Sequence, residues 1–229
     1  MTSLHDKCHY MCYLQALLQI QFLTGIERCG GSLISRDTIL SAAHCFRKLA
    51  EGNRLLVPRF VQITLGDHNI STISLNKTEK FDIVPNENIE IHPLFDLDTL
   101  ENDISKLHLK NPIDLVQNPH IMPICLPTNA DERYNGRNAK ATGWGLTKRH
   151  NAAEVLQEIN IRIISMGECN QHLSDFHRGQ AQPHLLTSEK VMCALGDGPR
   201  QEDTTRICRG RPLSHKQTTQ PVLLFAAIF

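Results

Sequence analysis

Short apolar stretches, separated by glycine, proline, asparagine and aspartate, recur along most of this chain. The first, residues 14–22, reads LQALLQIQF, in which apolar side chains largely alternate with glutamine. Alternation with a period of two is typical of a half-buried β-strand. Similar runs occur at 32–35, 37–42, 59–66, 81–91, 103–109, 138–145 and 156–164. The pattern predicts an all-β sandwich or a pair of barrels, since helical periodicity is nearly absent. The polar segments 46–56 and 170–190 fit a short helix or a long loop better.

The balance of charge excludes several classes of partner. Among 229 residues, 24 Lys and Arg balance 24 Asp and Glu, so the formal net charge is zero. Nucleic acids and membrane surfaces select a basic face, and we therefore expect neither as a partner. The C-terminal run PVLLFAAIF is far shorter than the ~18 apolar residues that a membrane-spanning helix needs. We expect no membrane span.

The cysteines indicate disulfides. None forms a C-x-x-C pair, which argues against zinc-ribbon and thioredoxin-like sites. Two N-x-S/T sequons, at Asn69 and Asn76, lie in a polar segment and are candidate glycosylation sites of a secreted, extracellular protein. Residues 1–25 nevertheless make a poor signal peptide, because their start is barely basic and their apolar run contains glutamines. The eight cysteines are Cys8, Cys12, Cys29, Cys45, Cys125, Cys169, Cys193 and Cys208.

Five motifs occur in a fixed order, CGGSLIS, AAHC, ENDISKL, PICLP and ATGWG. Together they resemble the trypsin-like (chymotrypsin-fold) serine endopeptidases over roughly residues 13–208. The resemblance implies two packed antiparallel β-barrels with the active site in the cleft between them. A Pro- and Asn-rich segment near 120–138 has the composition of a linker between the halves. We therefore expect a first barrel at 13–120, a partial second barrel at 121–208 and an atypical tail at 209–229.

The resemblance assigns roles to two residues of the first half. His44 in AAHC matches the general base of the family, and Asp103 in ENDISKL matches the carboxylate that orients it. That chemistry needs both groups, because the aspartate holds the imidazole tautomer and stabilises the imidazolium that forms. A lone histidine in an apolar run is more often a packed core residue, and a lone aspartate a surface charge. The motif context favours the catalytic interpretation for both.

The resemblance also implies a disulfide framework. Cys29 and Cys45 match a bridge that pins the base to the first barrel, and Cys169 and Cys193 match a bridge of the second barrel. Cys125 matches a cysteine that in many relatives binds an upstream segment, here through Cys8 or Cys12. The partners of Cys8, Cys12, Cys125 and Cys208 stay open.

The segment that should carry the nucleophile departs from the family pattern. Relatives read C-x-G-D-S-G-G-P-L there, whereas this chain reads Cys208-Arg209-Gly210-Arg211-Pro212-Leu213. Gly210 is a remnant of the oxyanion loop, but the serine and its backbone N–H are absent, and we assign no nucleophile. Ser214 follows the proline and is no substitute. The aspartate that pairs with a new N-terminus on activation is missing too, and no I/V-V-G-G sequence precedes Cys12. We interpret the tail as an unrelated sequence in a truncated or alternatively spliced product, which leaves the second barrel incomplete.

Cofactors are not expected. Asp67 and Glu79 flank a segment that binds calcium in some relatives, and both offer hard oxygen ligands. A plain solvated loop is the preferred interpretation, because Asn76 and Lys77 stand where an acidic residue is expected. The histidines show no pair at metal-ligand spacing, so no metal site is predicted.

Three functional hypotheses follow. The first is a secreted trypsin-like endopeptidase family member that is inactive as written, because its serine loop is deleted. The second is an active secreted endopeptidase whose complete product is only partly represented by this chain. The third is a non-catalytic, protein-binding protease homologue. The expected partners are protein or peptide substrates, or proteins of protease cascades.

Overall fold

The structure is a computed structural model, and two compact units divide the chain, Met1–Thr128 and Asn129–Phe229. For residues 79–83, 173–176 and 222–223 only the backbone is described. The structure describes residues 15–49, 55–71, 79–83, 88–127, 134–145, 153–176, 192–196 and 222–223.

The first unit is built on an antiparallel seven-stranded sheet with the order β7-β6-β1-β2-β3-β9-β8. A separate two-stranded pair is formed by β4 and β5. One turn of 3₁₀-helix, Ala43–Cys45, follows β3. The strands are β1 (Gln15–Phe22), β2 (Gly25–Leu33), β3 (Thr38–Ser41), β4 (Lys48–Leu49), β5 (Leu55–Leu56), β6 (Phe60–Leu65), β7 (Glu79–Ile83), β8 (Ile89–Ile91) and β9 (Ser105–His108).

One continuous hydrophobic cluster fills this unit. It takes alternate side chains from β1 and β6, among them Leu18, Ile20 and Ile63, which face each other because the two strands pair antiparallel with Leu18 opposite Ile63. The same cluster includes Phe46, which directly follows the 3₁₀ turn. The core therefore lies directly against the turn that carries His44.

The second unit contains a four-stranded antiparallel sheet with the order β10-β11-β12-β13 and one helix. Two small clusters are buried here, one around Ile161 and three alanines, the other around the bridge of Cys169 and Cys193. The elements are β10 (Asn138–Gly143), β11 (Gln157–Ile164), α1 (Met166–Phe176), β12 (Cys193–Gly196) and β13 (Val222–Leu223).

The prediction of an all-β fold from antiparallel strands is confirmed in the described residues. Three details differ from expectation. Segment 46–56 contributes the short β4–β5 pair, whose strands have two residues each. Where a short helix or a long loop is expected at 170–190, the described residues show helix α1, which begins earlier, at Met166. In β1 the second face is also largely covered, because Gln15 and Leu17 are buried as well as the apolar alternates.

The structure divides after residue 128, whereas the expected domain boundary lies after residue 120. Residues 121–127 belong with the first unit for two reasons. Ile121 is fully buried in its core, and the backbone N–H of Ile124 donates to the carbonyl of Leu33 at 2.7 Å. Within the described residues, no helix is long and apolar enough to span a membrane.

Candidate active site

His44 lies in the 3₁₀ turn that directly follows β3. Ala42 is still extended, and the chain turns at Ala43, which is buried together with Cys45. Ala42 and Ala43 are both buried, and Ala42 belongs to the same core cluster as Phe46, so the turn packs against the core. The imidazole between these buried neighbours keeps 22% of its surface exposed. The local sequence therefore anchors the backbone while leaving the ring partly accessible.

Asp103 is brought to the same place by strand pairing. β3 and β9 are antiparallel, with Ser41 at the end of β3 opposite Ser105 at the start of β9. The residues just after β3 and just before β9 consequently lie at the same end of the sheet, although 59 positions separate them in sequence. The hydroxyl of Ser105 also donates to the carbonyl of Ala42 at 3.1 Å, which ties the two ends together.

Both carboxylate oxygens of Asp103 contact His44. Oδ1 accepts the backbone N–H of His44 at 2.7 Å, and Oδ2 lies 2.6 Å from Nδ1 of the ring. The aspartate side chain is fully buried, so this pair is partly shielded from water. A carboxylate that accepts from Nδ1–H fixes the imidazole tautomer with Nε2 as the basic nitrogen. The arrangement is chemically that of an oriented general base.

A disulfide holds the histidine turn to the sheet. Cys45 is bonded to Cys29 of β2, with a Cα–Cα distance of 6.4 Å, and Cys29 lies opposite Leu18 of β1. Cys29, His44 and Cys45 also form the one group of possible metal ligands among the described residues. Because the two sulfurs are bonded to each other, this group is not a metal site.

Gly31 explains why the CGGSL motif needs glycine. A Cβ at this position would lie 2.8 Å from Cγ2 of Ile39 and 3.1 Å from the carbonyl oxygen of Leu40. β2 and β3 therefore approach too closely for a side chain here. Gly31 thus allows β3 to pack closely against β2, and the turn that carries His44 follows directly from β3.

Asn102 is a feature of the site that the sequence reasoning missed. It directly precedes Asp103, adopts a left-handed φ of 55°, and donates from Nδ2 to the carbonyl of Leu94 at 2.7 Å. Asparagine is one of the few residues that tolerate this conformation, and its presence before Asp103 was the available signal.

The loop that leads to Asp103 is also ordered by Asp96. Its carboxylate accepts the backbone N–H groups of Thr99 and Asp98, at 2.9 and 2.8 Å. These hydrogen bonds favour the ionised form and hold the pKa of Asp96 below its usual value. On β8, hydrogen bonds from Lys106 and then from His108 of the adjacent β9 lower the pKa of Glu90.

Other predicted site residues lie apart from this pair. Cys169 and Cys193 are bonded to each other in the second unit, and Cys125 is also disulfide-bonded, to a partner outside the described residues. Gly210, Cys8, Cys12 and Cys208 fall outside the described residues.

The predicted glycosylation and calcium residues are only partly described. Asn69 lies in a partly exposed turn, where its Oδ1 accepts the backbone N–H and the hydroxyl of Ser71. Asp67 is buried and accepts the N–H of Asn69 at 3.1 Å, an ordinary turn contact. Among the described residues, Asp67 belongs to no group of three or more possible metal ligands. Asn76 and the side chain of Glu79 lie outside the description.

Comparison with known proteins connects this geometry to one family. The family model described as Trypsin matches residues 13–210. Serine protease filzig of Drosophila melanogaster is 31% identical over 189 residues, which are 82% of this chain and 10% of that protein. Trypsin-1 of Salmo salar is 31% identical over 66% of this chain and 55% of its own length. Mast cell protease 8 of Mus musculus is 27% identical over 93% of this chain and 68% of its own length.

Comparison with solved structures gives the same fold. The structure titled "Structure of GrC" superposes with a TM-score of 0.61 at 22% identity, covering 80% of this chain and 70% of that one. The fold is therefore the two-barrel, all-β type that the motifs implied. The chain spans one tenth of Serine protease filzig and 55% of Trypsin-1.

Proposed function

Because the chain belongs to the trypsin family of serine proteases, we propose that it keeps the family's base and orienting acid in His44 and Asp103 but does not hydrolyse peptide bonds. The observation that carries this proposal is the segment after Cys208, where Arg209-Gly210-Arg211-Pro212-Leu213 replaces the serine-bearing segment of relatives. Nδ1 of His44 lies 2.6 Å from Oδ2 of Asp103, and this contact leaves Nε2 as the nitrogen that would accept a proton. No serine hydroxyl is encoded where that proton would come from.

The deletion removes more than the attacking hydroxyl. In the family, the backbone N–H of the same serine donates to the oxyanion that forms when a carbonyl is attacked. Loss of one such donor costs about 10²–10³ in kcat, and loss of the serine of a comparable triad costs about 10⁶. An oriented imidazole cannot replace either contribution, because it supplies neither a covalent intermediate nor a donor at the oxyanion. We therefore expect no peptide hydrolysis by this chain above the background rate.

A binding role in the extracellular space follows from the same features. Disulfides such as Cys29–Cys45 persist in oxidising compartments, and the sequons at Asn69 and Asn76 fit a secreted glycoprotein. The zero net charge gives no basis for binding nucleic acid. The proposed partners are proteins or peptides, including proteins of protease cascades, which the chain would bind without cleaving.

Peptide hydrolysis with a matched histidine variant tests this function. The wild-type chain and His44→Gln are incubated with a mixed library of fluorogenic peptides, beside an active trypsin. The proposal expects both chains to give the same background rate, because without a nucleophile the base has no role in turnover. Hydrolysis by the wild-type chain that His44→Gln abolishes would contradict the proposal.

The intact geometry of His44 and Asp103 favours a second candidate. A pair held by two short hydrogen bonds and a disulfide is what an active endopeptidase needs. In this second candidate the same locus encodes a complete enzyme, of which this chain is one product. Reading the transcripts around codon 210 separates the two candidates. A transcript that continues Cys-Arg-Gly-Asp-Ser-Gly-Gly-Pro would establish the second.

A further inference from the structure

The residue before Asp103 has an unusual backbone conformation. Asn102 has a φ of 55°, and Leu100, two residues earlier, has a φ of 59°. L-residues avoid this region because Cβ approaches the backbone too closely, and leucine has no compensating local hydrogen bond. The loop between β8 and β9 therefore holds its chain in a conformation that the residues would not adopt by themselves.

The backbone N–H of His92 donates to the carbonyl of Ile104 at 3.0 Å at the base of this loop, and two further hydrogen bonds link its two arms. Nδ2 of Asn102 donates to the carbonyl of Leu94 at 2.7 Å, and the backbone N–H of Asp96 donates to the carbonyl of Glu101 at 3.1 Å. The first of them spans eight positions and comes from the residue that directly precedes the buried aspartate. The left-handed backbone of Asn102 thus sets the direction of the chain before Asp103, and its side chain holds this point of the loop to Leu94.

Asp103 is held at the centre of a three-residue turn. The backbone N–H of Ile104 donates to the carbonyl of Asn102 at 2.8 Å, an i to i+2 contact. Ser105 then begins β9, whose pairing with β3 fixes the far side. The aspartate is therefore clamped between a rigid strand and Asn102, and a change at Asn102 acts on the carboxylate through the backbone.

We propose that Asn102 is a positioning residue, whose left-handed backbone and side-chain bond to Leu94 aim the Asp103 carboxylate at the backbone N–H and the ring Nδ1 of His44. The inference deepens the proposed function, since it rests on His44 and Asp103 being an oriented base. Asn102 acts through the backbone that it shares with Asp103. Its effect is transmitted to the pair by the turn around Asp103.

Three variants separate the two contributions of Asn102. Asn102→Gly keeps the left-handed φ without strain but loses the bond to Leu94, whereas Asn102→Ala loses the bond and is strained as well. Asn118→Ala is the matched control, because Nδ2 of Asn118 makes a comparable 3.0 Å bond to the carbonyl of Asp114 in another exposed loop of the same unit.

The readout is the ring proton on Nδ1 of His44 in full-length protein with ¹⁵N-labelled histidine, identified by its absence from His44→Gln. Its exchange with water reports how often the pair opens. We expect exchange about fivefold faster in Asn102→Gly, the size of one net hydrogen bond, and about tenfold faster again in Asn102→Ala. Asn118→Ala should exchange at the wild-type rate, with the thermal midpoint of each variant recorded in parallel.

Three results would overturn the inference. One is an Nδ1 proton of His44 that exchanges in Asn102→Gly at the wild-type rate. This variant is expected to fold even if Asn102→Ala does not. Another is equal acceleration in Asn118→Ala, which would make the effect one of general stability. The third is a wild-type protein without a protected proton, which would remove the pair itself. Because this exchange does not depend on a serine nucleophile, peptide hydrolysis could contradict the proposed function while leaving this inference intact.

Discussion

In the proposed function, the two units of this protein correspond to different parts of the family's catalytic machinery. The first unit positions His44 and Asp103 through one strand pair, one turn and one disulfide, all within its own described residues. The second unit would carry the nucleophile, about 100 residues further along the chain, and there the sequence has changed. In the proposed function, a base and its orienting acid are therefore kept while the group that they serve is lost. Good geometry at His44 alone does not establish activity.

The hydrophobic core described in the first unit is larger than the cores described in the second. In the first unit, seventeen buried residues form one cluster, whereas the described part of the second unit has clusters of five and four. The cluster around Ile161 contains three alanines, which have little side-chain surface to bury. The first unit is expected to be the more rigid of the two.

Matched truncations of isoleucine should give the largest effect. Ile63 in β6 and Ile161 in β11 are both almost fully buried. We expect Ile63→Ala to lower the free energy of unfolding by about 3–5 kcal/mol, and Ile161→Ala by about 2 kcal/mol, because the cost rises with the cavity that remains. Chemical denaturation, followed by hydrogen exchange of each sheet, measures both. Equal losses would remove the contrast between the cores.

Removal of each disulfide should separate stability from site geometry. The bridges close segments with sequence separations of 16 and 24, so chain entropy predicts a loss of about 3 kcal/mol for either one. Cys29→Ser/Cys45→Ser should also lose the protected Nδ1 proton of His44, since Cys45 belongs to its turn. Cys169→Ser/Cys193→Ser should retain that proton. Loss of the proton in both double variants would mean that the site depends on the second unit.

Two substitutions of glycine by alanine should change the free energy of unfolding in opposite directions. Gly31→Ala places a Cβ against Ile39 and Leu40 of the adjacent strand and should cost about 1–3 kcal/mol of unfolding free energy. Gly167, in the first turn of α1, has no atom closer than 4.0 Å to such a Cβ. Gly167→Ala should therefore stabilise the protein by about 0.4–1 kcal/mol. Thermal unfolding midpoints measure both, and a neutral Gly31→Ala would show that β2 and β3 can separate.

The smallest effect concerns pH. Lys106 and His108 hold the pKa of Glu90 below its usual value in the folded protein, so their contribution is present above the unfolded pKa of about 4.3 and is lost as the pH falls through the folded value. Glu90→Gln should flatten the acid limb of the stability curve. Glu158→Gln, which removes the salt-bridge partner of Lys140 in the second unit, is the matched control for loss of an exposed ion pair. An identical acid limb in wild type and Glu90→Gln would contradict this.

Much of the fold could be predicted because its signals are local. Period-two runs predicted the long strands, and motifs of four to seven residues predicted the family, and both predictions are confirmed. The β4–β5 pair could not be predicted, since two residues are too few to display a period. The boundary after residue 128 depends on the burial of Ile121 and on the backbone bond from Ile124 to Leu33, which are tertiary contacts that composition does not encode.

The site could be predicted in part for the same reason. His44 and Asp103 each stand in a recognisable motif, and their closeness follows from the β3–β9 pairing that brings the two motifs to one end of a sheet. The role of Asn102 depends on a bond to Leu94 and on a left-handed backbone. Neither leaves a mark in the sequence beyond the choice of asparagine. Gly210 and the segment after Cys208 remain predictions.

Intact-mass spectrometry after incubation with a fluorophosphonate tests directly whether the chain has a serine nucleophile that His44 activates. This reagent reacts with a serine hydroxyl that an oriented histidine activates, so it detects a working nucleophile without needing the correct substrate. We expect the purified chain to keep its mass while an active trypsin in the same buffer gains one adduct. One adduct per chain that disappears in His44→Gln would contradict it.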